Sequence, residues 1–479
     1  MNLTQKTGFI AGPLVCIILL VLGSPESMSW EAWGTAAVGI WMSIWWMTEA
    51  VPLPVTALLP LVLFPIMEIS SIRTTATPYA NPIIFLFLGA FIIAKAMEVW
   101  GLHKRIALSI INIIGASPAS IIAGFMIATA LLSMWISNTA TALMMLPIAL
   151  SVIELSKGDN PDAGLNNFGI ALLLTIAYSC SLGGMASLVG TPTNGVLASY
   201  FLENRGEEIS LAAWLQLGIP LSLISLPIMY VVLTRFVFPI RVKEIPGGKA
   251  LIKSELKALG RITKPEVYIS LVFGLVALLW VTKPLLTGII PGISDTVVAL
   301  FGAALLFVIP ANNQEGKFLL SWKQAEQLPW GILLLFGGGL SLASTISGTG
   351  LATWIGEQLT GLGQFHPLLI IAVIVIVIVL LTELTSNVAT AAAFLPVIVS
   401  LSDAIGVHPL MLSVPAVLAA SCAFMLPVAT PPNAVVYSSG ILNIRDMMRG
   451  GLALNIIMML IVSLFSYFLV PLIFDLSNS

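Results

Sequence analysis

Apolar runs long enough to cross a bilayer follow one another along this whole chain, parted only by short polar breaks. Spanning the hydrocarbon core takes about 20 such residues in helical form. Within it only helices and closed barrels satisfy their own backbone groups. Runs near 7–23, 32–48, 52–67, 82–100, 168–201, 211–238, 266–282, 294–310, 329–348, 409–442 and 451–474 predict eleven spans. Charged residues are 9% of the 479, against about 25% in a soluble domain, so the fold class is an all-α integral membrane protein. The first run begins behind Lys6 with no small-x-small cleavage site and reads as a retained helix, not a signal peptide.

Two further apolar stretches, 118–153 and 366–402, carry one charge or none and are about 36 residues long. Half of such a stretch reaches ~27 Å at ~1.5 Å per residue, short of the ~30 Å core. Each is therefore expected to enter the membrane and return to the same side as a re-entrant helical hairpin. Lysine and arginine set the orientation. The segment between the sixth and seventh spans holds Arg241, Lys243, Lys249, Lys253, Lys257, Arg261 and Lys264. If that side is cytoplasmic, alternation places Lys6, Lys104, Arg105, Lys157, Lys317, Lys323, Arg445 and Arg449 there as well. The amino terminus is then inside and the carboxyl terminus outside, with the first hairpin opening from the cytoplasm and the second from outside.

The halves also repeat one another. An offset of 249 pairs Gly89 with Gly338, Gly101 with Gly350, Ser137 with Ser386, Asn138 with Asn387, Thr141 with Thr390 and Pro147 with Pro396. Later the offset is 239, and it pairs Val189-Gly190-Thr191-Pro192-Thr193-Asn194 with Val428-Ala429-Thr430-Pro431-Pro432-Asn433. Halves that repeat in sequence and oppose in topology are inverted repeats, the architecture of carriers whose site lies at the bilayer midplane.

Ser137-Asn138-Thr139 and Ser386-Asn387-Val388 fall at the centres of the two hairpins. A helix start there leaves N–H groups unpaired and can hold a carboxylate without arginine. Capping alone would explain one copy; two at matched mid-membrane positions favour a ligand site. Gly190-Thr191-Pro192 and Ala429-Thr430-Pro431-Pro432 interrupt apolar helices, and proline frees a carbonyl. Freed carbonyls plus asparagine amide oxygens suit a hard cation such as sodium, with a plain proline kink as the alternative. Glu383 and Glu49 are acids in apolar context. Glu383 has Met134 as its mate in the first half, so an interhelical hydrogen bond or salt bridge is favoured over ion or proton coupling. His103, His366 and His408 flank spans, as do Trp30, Trp33, Trp100 and Trp330. Cys16, Cys180 and Cys422 show no pairing or zinc spacing.

These motifs, and the stretch from Ser421 to Val436 that ends Val-Ala-Thr-Pro-Pro-Asn-Ala-Val-Val, resemble the divalent anion:sodium symporter family from about Trp33 onward. The resemblance implies eleven transmembrane helices plus two re-entrant hairpins, a homodimer, and an elevator-type carrier in a cell (inner) membrane. It implies a first sodium site at Ser133, Ser137, Asn138 and Gly190, and a second at Thr382, Thr385, Asn387 and Ala429. Substrate contacts would be Ser137, Asn138, Thr139, Ser386, Asn387 and Val388, with Thr191 and Pro431 nearby. Val388 stands where some members have threonine, which leaves the anion open. The expected layout is an N-terminal helix at 1–28, repeats at 29–240 and 265–479, and a cytoplasmic linker at 241–264. The expected activity is sodium-coupled import of C4 dicarboxylates such as succinate, malate and fumarate. Exchange, proton coupling and a tricarboxylate or sulfate substrate are the alternatives. No catalytic residues, no Gly-rich Lys-Ser/Thr loop and no basic tract for nucleic acid are expected, so the chain is not read as an enzyme.

Overall fold

The computed structural model describes residues 3–115, 117–157, 163–240, 247–312 and 317–476; Arg241 and Lys243 lie outside them. Among the described residues, nine helices are long and apolar enough to cross a membrane, and five more are apolar but shorter. Helix α1 (Leu3–Leu22) lies along α2 (Trp30–Thr48), capped by Ser29. The run at 52–67, expected as one span, is broken into α3 (Leu53–Thr56) and α4 (Leu59–Ile66). Pro60 has no N–H to continue the first helix into the second. After α5 (Ile72–Ala76) comes α6 (Pro82–Val99), started by the Asn81 cap and a proline at the first turn.

Gly101 and Gly350 take the left-handed conformation, with φ of 69° and 81°, which a side chain disfavours. Each turns the chain into a short amphipathic helix absent from the sequence reading, α7 (Leu102–Ile114) in the first half. The first long apolar stretch is indeed two helices, α8 (Pro118–Ser133) and α9 (Asn138–Lys157). The span at 168–201 is a broken helix, α10 (Ala163–Gly184) and α11 (Pro192–Arg205). It is followed by α12 (Leu211–Val231), which ends in a π-helical turn. The linker contains α13 (Gly248–Ala258). Arg105 of α7 pins this linker: its guanidinium donates to the carbonyls of Leu259 and Gly260 and to Glu266 at 2.7 Å.

The second half repeats the plan. Helices α14 (Lys264–Leu286) and α15 (Asp295–Val308) precede a two-stranded antiparallel turn, β1 (Pro310–Asn312) and β2 (Lys317–Phe318). Short α16 (Trp322–Ala325) leads to α17 (Trp330–Gly348), and Gly350 turns it into α18 (Leu351–Leu359). The second long stretch is α19 (Pro367–Thr382) and α20 (Asn387–Ala404). The second broken helix is α21 (Leu410–Ala420) and α22 (Pro431–Tyr437), and α23 (Ile444–Ile473) closes the fold. The repeat-related glycines serve one purpose. A methyl group on Gly89 would lie 2.7 Å from Ala299 of α15, and one on Gly338 2.4 Å from the Ala57 carbonyl. Small residues let these helix backbones touch where lipid offers no hydrophobic drive.

Candidate functional site

The two hairpin turns are built alike. In the first, the Ser133 hydroxyl lies 2.5 Å from Asn138 Oδ1 and 2.9 Å from the Cys180 carbonyl at the end of α10. In the second, the Thr382 hydroxyl lies 2.7 Å from Asn387 Oδ1 and 2.8 Å from the Ala420 carbonyl at the end of α21. One hydroxyl proton therefore faces two acceptor oxygens in each half. Ser133 and Thr382 are fully buried, and an oxygen cluster short of protons in such surroundings attracts a cation.

Close backbone approach completes the first cluster. A methyl group on Gly184 would sit 2.7 Å from Asn138 Oδ1 and 3.2 Å from the Gly190 carbonyl oxygen. One on Gly190 would sit 2.5 Å from the Gly184 carbonyl and 2.9 Å from that of Ser133. Asn138 Oδ1 and the Gly190 carbonyl thus lie against Gly184, and the carbonyls of Gly184 and Ser133 against Gly190. Ser137 caps α9, its Oγ accepting from the Ala140 N–H at 3.3 Å. In the second half Thr385 turns its hydroxyl to the Leu381 carbonyl and to Thr390, so its side chain is already engaged. Ala429 is buried at the second break and carries the methyl that Gly190 lacks.

The breaks are tied to the hairpins by chemistry that differs between the halves. Ser187 Oγ donates to the Met134 carbonyl and accepts from the Gly190 N–H at 3.0 Å. At the matching place Glu383, 4% exposed, accepts from the N–H groups of Phe424, Met425 and Leu426 and from Asn455 Nδ2 at 2.7 Å. A buried carboxylate needs such donors; Glu383 makes one interhelical hydrogen bond, to Asn455 of α23, and its main partners are backbone amides of the unwound segment. Asn194 and Asn433 hold the breaks from the other side. Their Nδ2 groups donate to Met185 and Ser187 carbonyls and to Ala423 and Leu426 carbonyls.

Helix α11 packs on α20 of the opposite hairpin, and α22 packs on α9. Three helix starts, at Asn138, Asn387 and Pro192, offer this assembly unpaired N–H groups and the positive end of a dipole; at the start of α22, Pro431 and Pro432 have no N–H and that of Asn433 is taken by Thr430 Oγ. Thr139 and Val388 are half-buried in the first turns of α9 and α20, beside half-buried Ser386. Thr191 contacts Thr193 at 3.1 Å, and Pro431 is exposed. Glu49 lies apart, in a left-handed turn after α2. His366 and His408 cap helix starts, accepting from the N–H groups of Leu368 and Leu410. Sequence reading missed Gly184, Ser187, Asn455 and the Cys180 and Ala420 carbonyls. For Ser187 the only signal is its place in the first break; for the others there is none short of the fold.

The family described as sodium:sulfate symporter transmembrane region matches residues 4–474. The sodium-dependent dicarboxylate transporter SdcS of Staphylococcus aureus (strain bovine RF122 / ET3-1) is 43% identical over 477 residues, 98% of this chain and 92% of that protein. SdcS of Staphylococcus saprophyticus is 43% identical over 478 residues with the same coverage. Two solved structures share the fold at 13% identity. They are the Alcanivorax borkumensis YdaH transporter (TM-score 0.63, 98% of each chain) and Neisseria gonorrhoeae MtrF (TM-score 0.58, 85% of this chain and 84% of that one).

Proposed function

The chain belongs to the sodium:sulfate symporter family, the divalent anion:sodium symporters, and from that membership we propose that it imports C4 dicarboxylates such as succinate together with sodium. The observation that carries this reading is the duplicated oxygen cluster, Ser133–Asn138–Cys180 in one half and Thr382–Asn387–Ala420 in the other. Each cluster is short of protons and lies beside a helix start. Sodium in the first is held by Ser133, Ser137, Asn138 and Gly190, with the Gly184 carbonyl added. Sodium in the second is held by Thr382, Thr385, Asn387 and Ala429, and Thr385 enters through its carbonyl because its hydroxyl is engaged. The bound cations and the N–H groups at Ser137, Asn138, Thr139, Ser386, Asn387 and Val388 then receive the two carboxylates, with Thr191 and Pro431 at the margin. The names of the staphylococcal relatives support both the ion and the substrate class.

The rest of the reading rests on the inverted repeats for the topology and on the family resemblance for the homodimer and the movement. The protein spans the cell membrane eleven times with its amino terminus inside, works as a homodimer, and carries the hairpins and broken helices across as one body in an elevator-type movement. Uptake of labelled succinate into proteoliposomes, with and without an inward sodium gradient, tests the proposal. Accumulation is expected only with the gradient. Equal uptake without sodium, driven by internal dicarboxylate, would establish exchange instead.

A further inference from the structure

Residues related by the repeat hold matching places in the two halves, so a difference in their exposure shows where the halves differ in conformation. Val428 is 79% exposed, while its mate Val189 is 5% exposed. Leu143 is 55% exposed against 4% for Ala392. Along the same face of α9, Pro147 and Ser151 are exposed, while Pro396 and Ser400 on α20 are buried. Along α22, Pro431, Ala434 and Ser438 are exposed at helical spacing, while Gly195 and Ser199 on α11 are buried and Pro192 half-buried.

The packing partners explain the difference. Helices α11 and α20 are covered by α17, with α6 also on α11 and α2 and α18 also on α20. Helices α9 and α22 pack on each other and on α10, with α8 and α13 also against α9. The ends of the two hairpins show the same inequality. A cavity of about 690 Å³ lies at Ser151, Glu154, Leu251 and Ser439. The cavity at the matching residues, Ser400 and Asp403, is about 280 Å³ and is walled by Thr353, Gly356 and Glu357 of α18.

We propose that the structure is the state open on the side from which the first hairpin enters, the cytoplasmic side. Its release path is the seam between the Leu143–Pro147–Ser151 face of α9 and the Val428–Pro431–Ala434–Ser438 face of α22. Repeat symmetry then assigns the uptake path of the opposite state to Ala392, Pro396 and Ser400 of α20 and to Gly195 and Ser199 of α11. These five residues touch the aqueous route only after α17, α2, α6 and α18 have moved off them. The assignment rests on the transport reading above and adds the residues of both routes to it.

Single substitutions Ser151→Cys, Ser438→Cys, Ser400→Cys and Ser199→Cys test it in sealed proteoliposomes, with a hydrophilic maleimide applied to either side. The native cysteines are buried and give little background. Ser151→Cys and Ser438→Cys are expected to react from the cytoplasmic side without sodium, at least about tenfold faster than the other two. Ser400→Cys and Ser199→Cys are expected to react only from outside, and faster during sodium-driven succinate turnover. Reaction of Ser400→Cys from the cytoplasmic side would overturn the assignment. So would reaction of Ser151→Cys with a lipid-soluble maleimide alone, which would mean that this face meets lipid. Sodium-driven uptake is measured in the same vesicles. Uptake that persists with the wrong labelling sinks the paths, whereas no uptake in the unsubstituted protein sinks the transport reading.

Discussion

Gly184→Ala places one methyl group in the first oxygen cluster and nowhere else. The new carbon would lie 2.7 Å from Asn138 Oδ1, 3.2 Å from Asn138 Nδ2 and 3.2 Å from the Gly190 carbonyl. Carbon and oxygen in contact prefer a wider separation, so the Asn138 amide must swing away and release the Ser133 hydroxyl. Overpacking of this kind costs about 1–3 kcal/mol, while the hydrogen bond released is one that the unliganded cluster already makes. Because the unliganded cluster can relax by moving one side chain, most of that cost falls on the cation-loaded state. Sodium affinity should therefore drop by roughly fivefold to a hundredfold, at about 1.4 kcal/mol per decade. The assay is the sodium concentration that half-saturates succinate uptake, together with the rise in melting temperature that sodium produces in detergent. The variant should melt near the unsubstituted protein without sodium and gain little from its addition. A Gly184→Ala protein with unchanged sodium dependence would refute the reasoning, since no cation could then be using Asn138 Oδ1.

Asn138→Ala and Asn387→Ala should each weaken sodium and succinate together, and the loss of succinate affinity should resist added sodium; unchanged sodium dependence in both would make the asparagines simple caps. Glu383→Gln puts an amide donor among four donors, and Glu383→Ala leaves three backbone N–H groups without their acceptor. Both should cut succinate uptake severely, and full activity in either would show that the clasp is dispensable. Val388→Thr offers a carboxylate a hydroxyl, worth about 1.5–3 kcal/mol for a charged acceptor, so it should tighten succinate roughly tenfold while Thr139→Val weakens it. An unaltered order among succinate, malate, citrate and sulfate in competition assays would place position 388 away from the anion. A cysteine replacing Ser254, exposed on α13, should be labelled only from the cytoplasmic side, and labelling from outside would reverse the orientation.

The hairpins and breaks were legible because each polar interruption occurs twice, and because a 36-residue apolar stretch has few ways to sit in a bilayer. The fragmentation at 52–67 was also within reach, since Pro60 was in view, but a hydropathy run does not register a missing N–H. The helices that follow Gly101 and Gly350 leave no mark in hydropathy for a related reason. They are amphipathic, and a search for uniformly apolar spans ignores them. Gly184 could not be found at all from sequence. Its importance is a distance to Asn138, which lies 46 residues earlier, and many glycines in this chain pack against backbone for purely structural reasons. The partners of Glu383 were hidden likewise, because three of the four are backbone groups and carry no residue-type signature.

The halves differ least at the hairpin turns and more in what holds the turns to the breaks. A hydroxyl shared between an asparagine oxygen and a helix-end carbonyl appears in both halves, with serine in one and threonine in the other. The tie does not repeat: Ser187 accepts from one amide in the first half, and Glu383 accepts from three in the second. The surroundings account for this. Residues 181–191 are buried throughout, so packing on every side holds that break in place. At the second break Met425, Leu426 and Pro427 are only partly covered and Val428 is largely bare. An unwound segment with an open side has fewer contacts to resist local opening. A carboxylate with several charge-assisted hydrogen bonds, each roughly twice as strong as a neutral one, supplies the restraint that packing does not. The charge at Glu383 is thereby explained as support for the second hairpin's neighbour, without requiring that the carboxylate itself touch the transported ion.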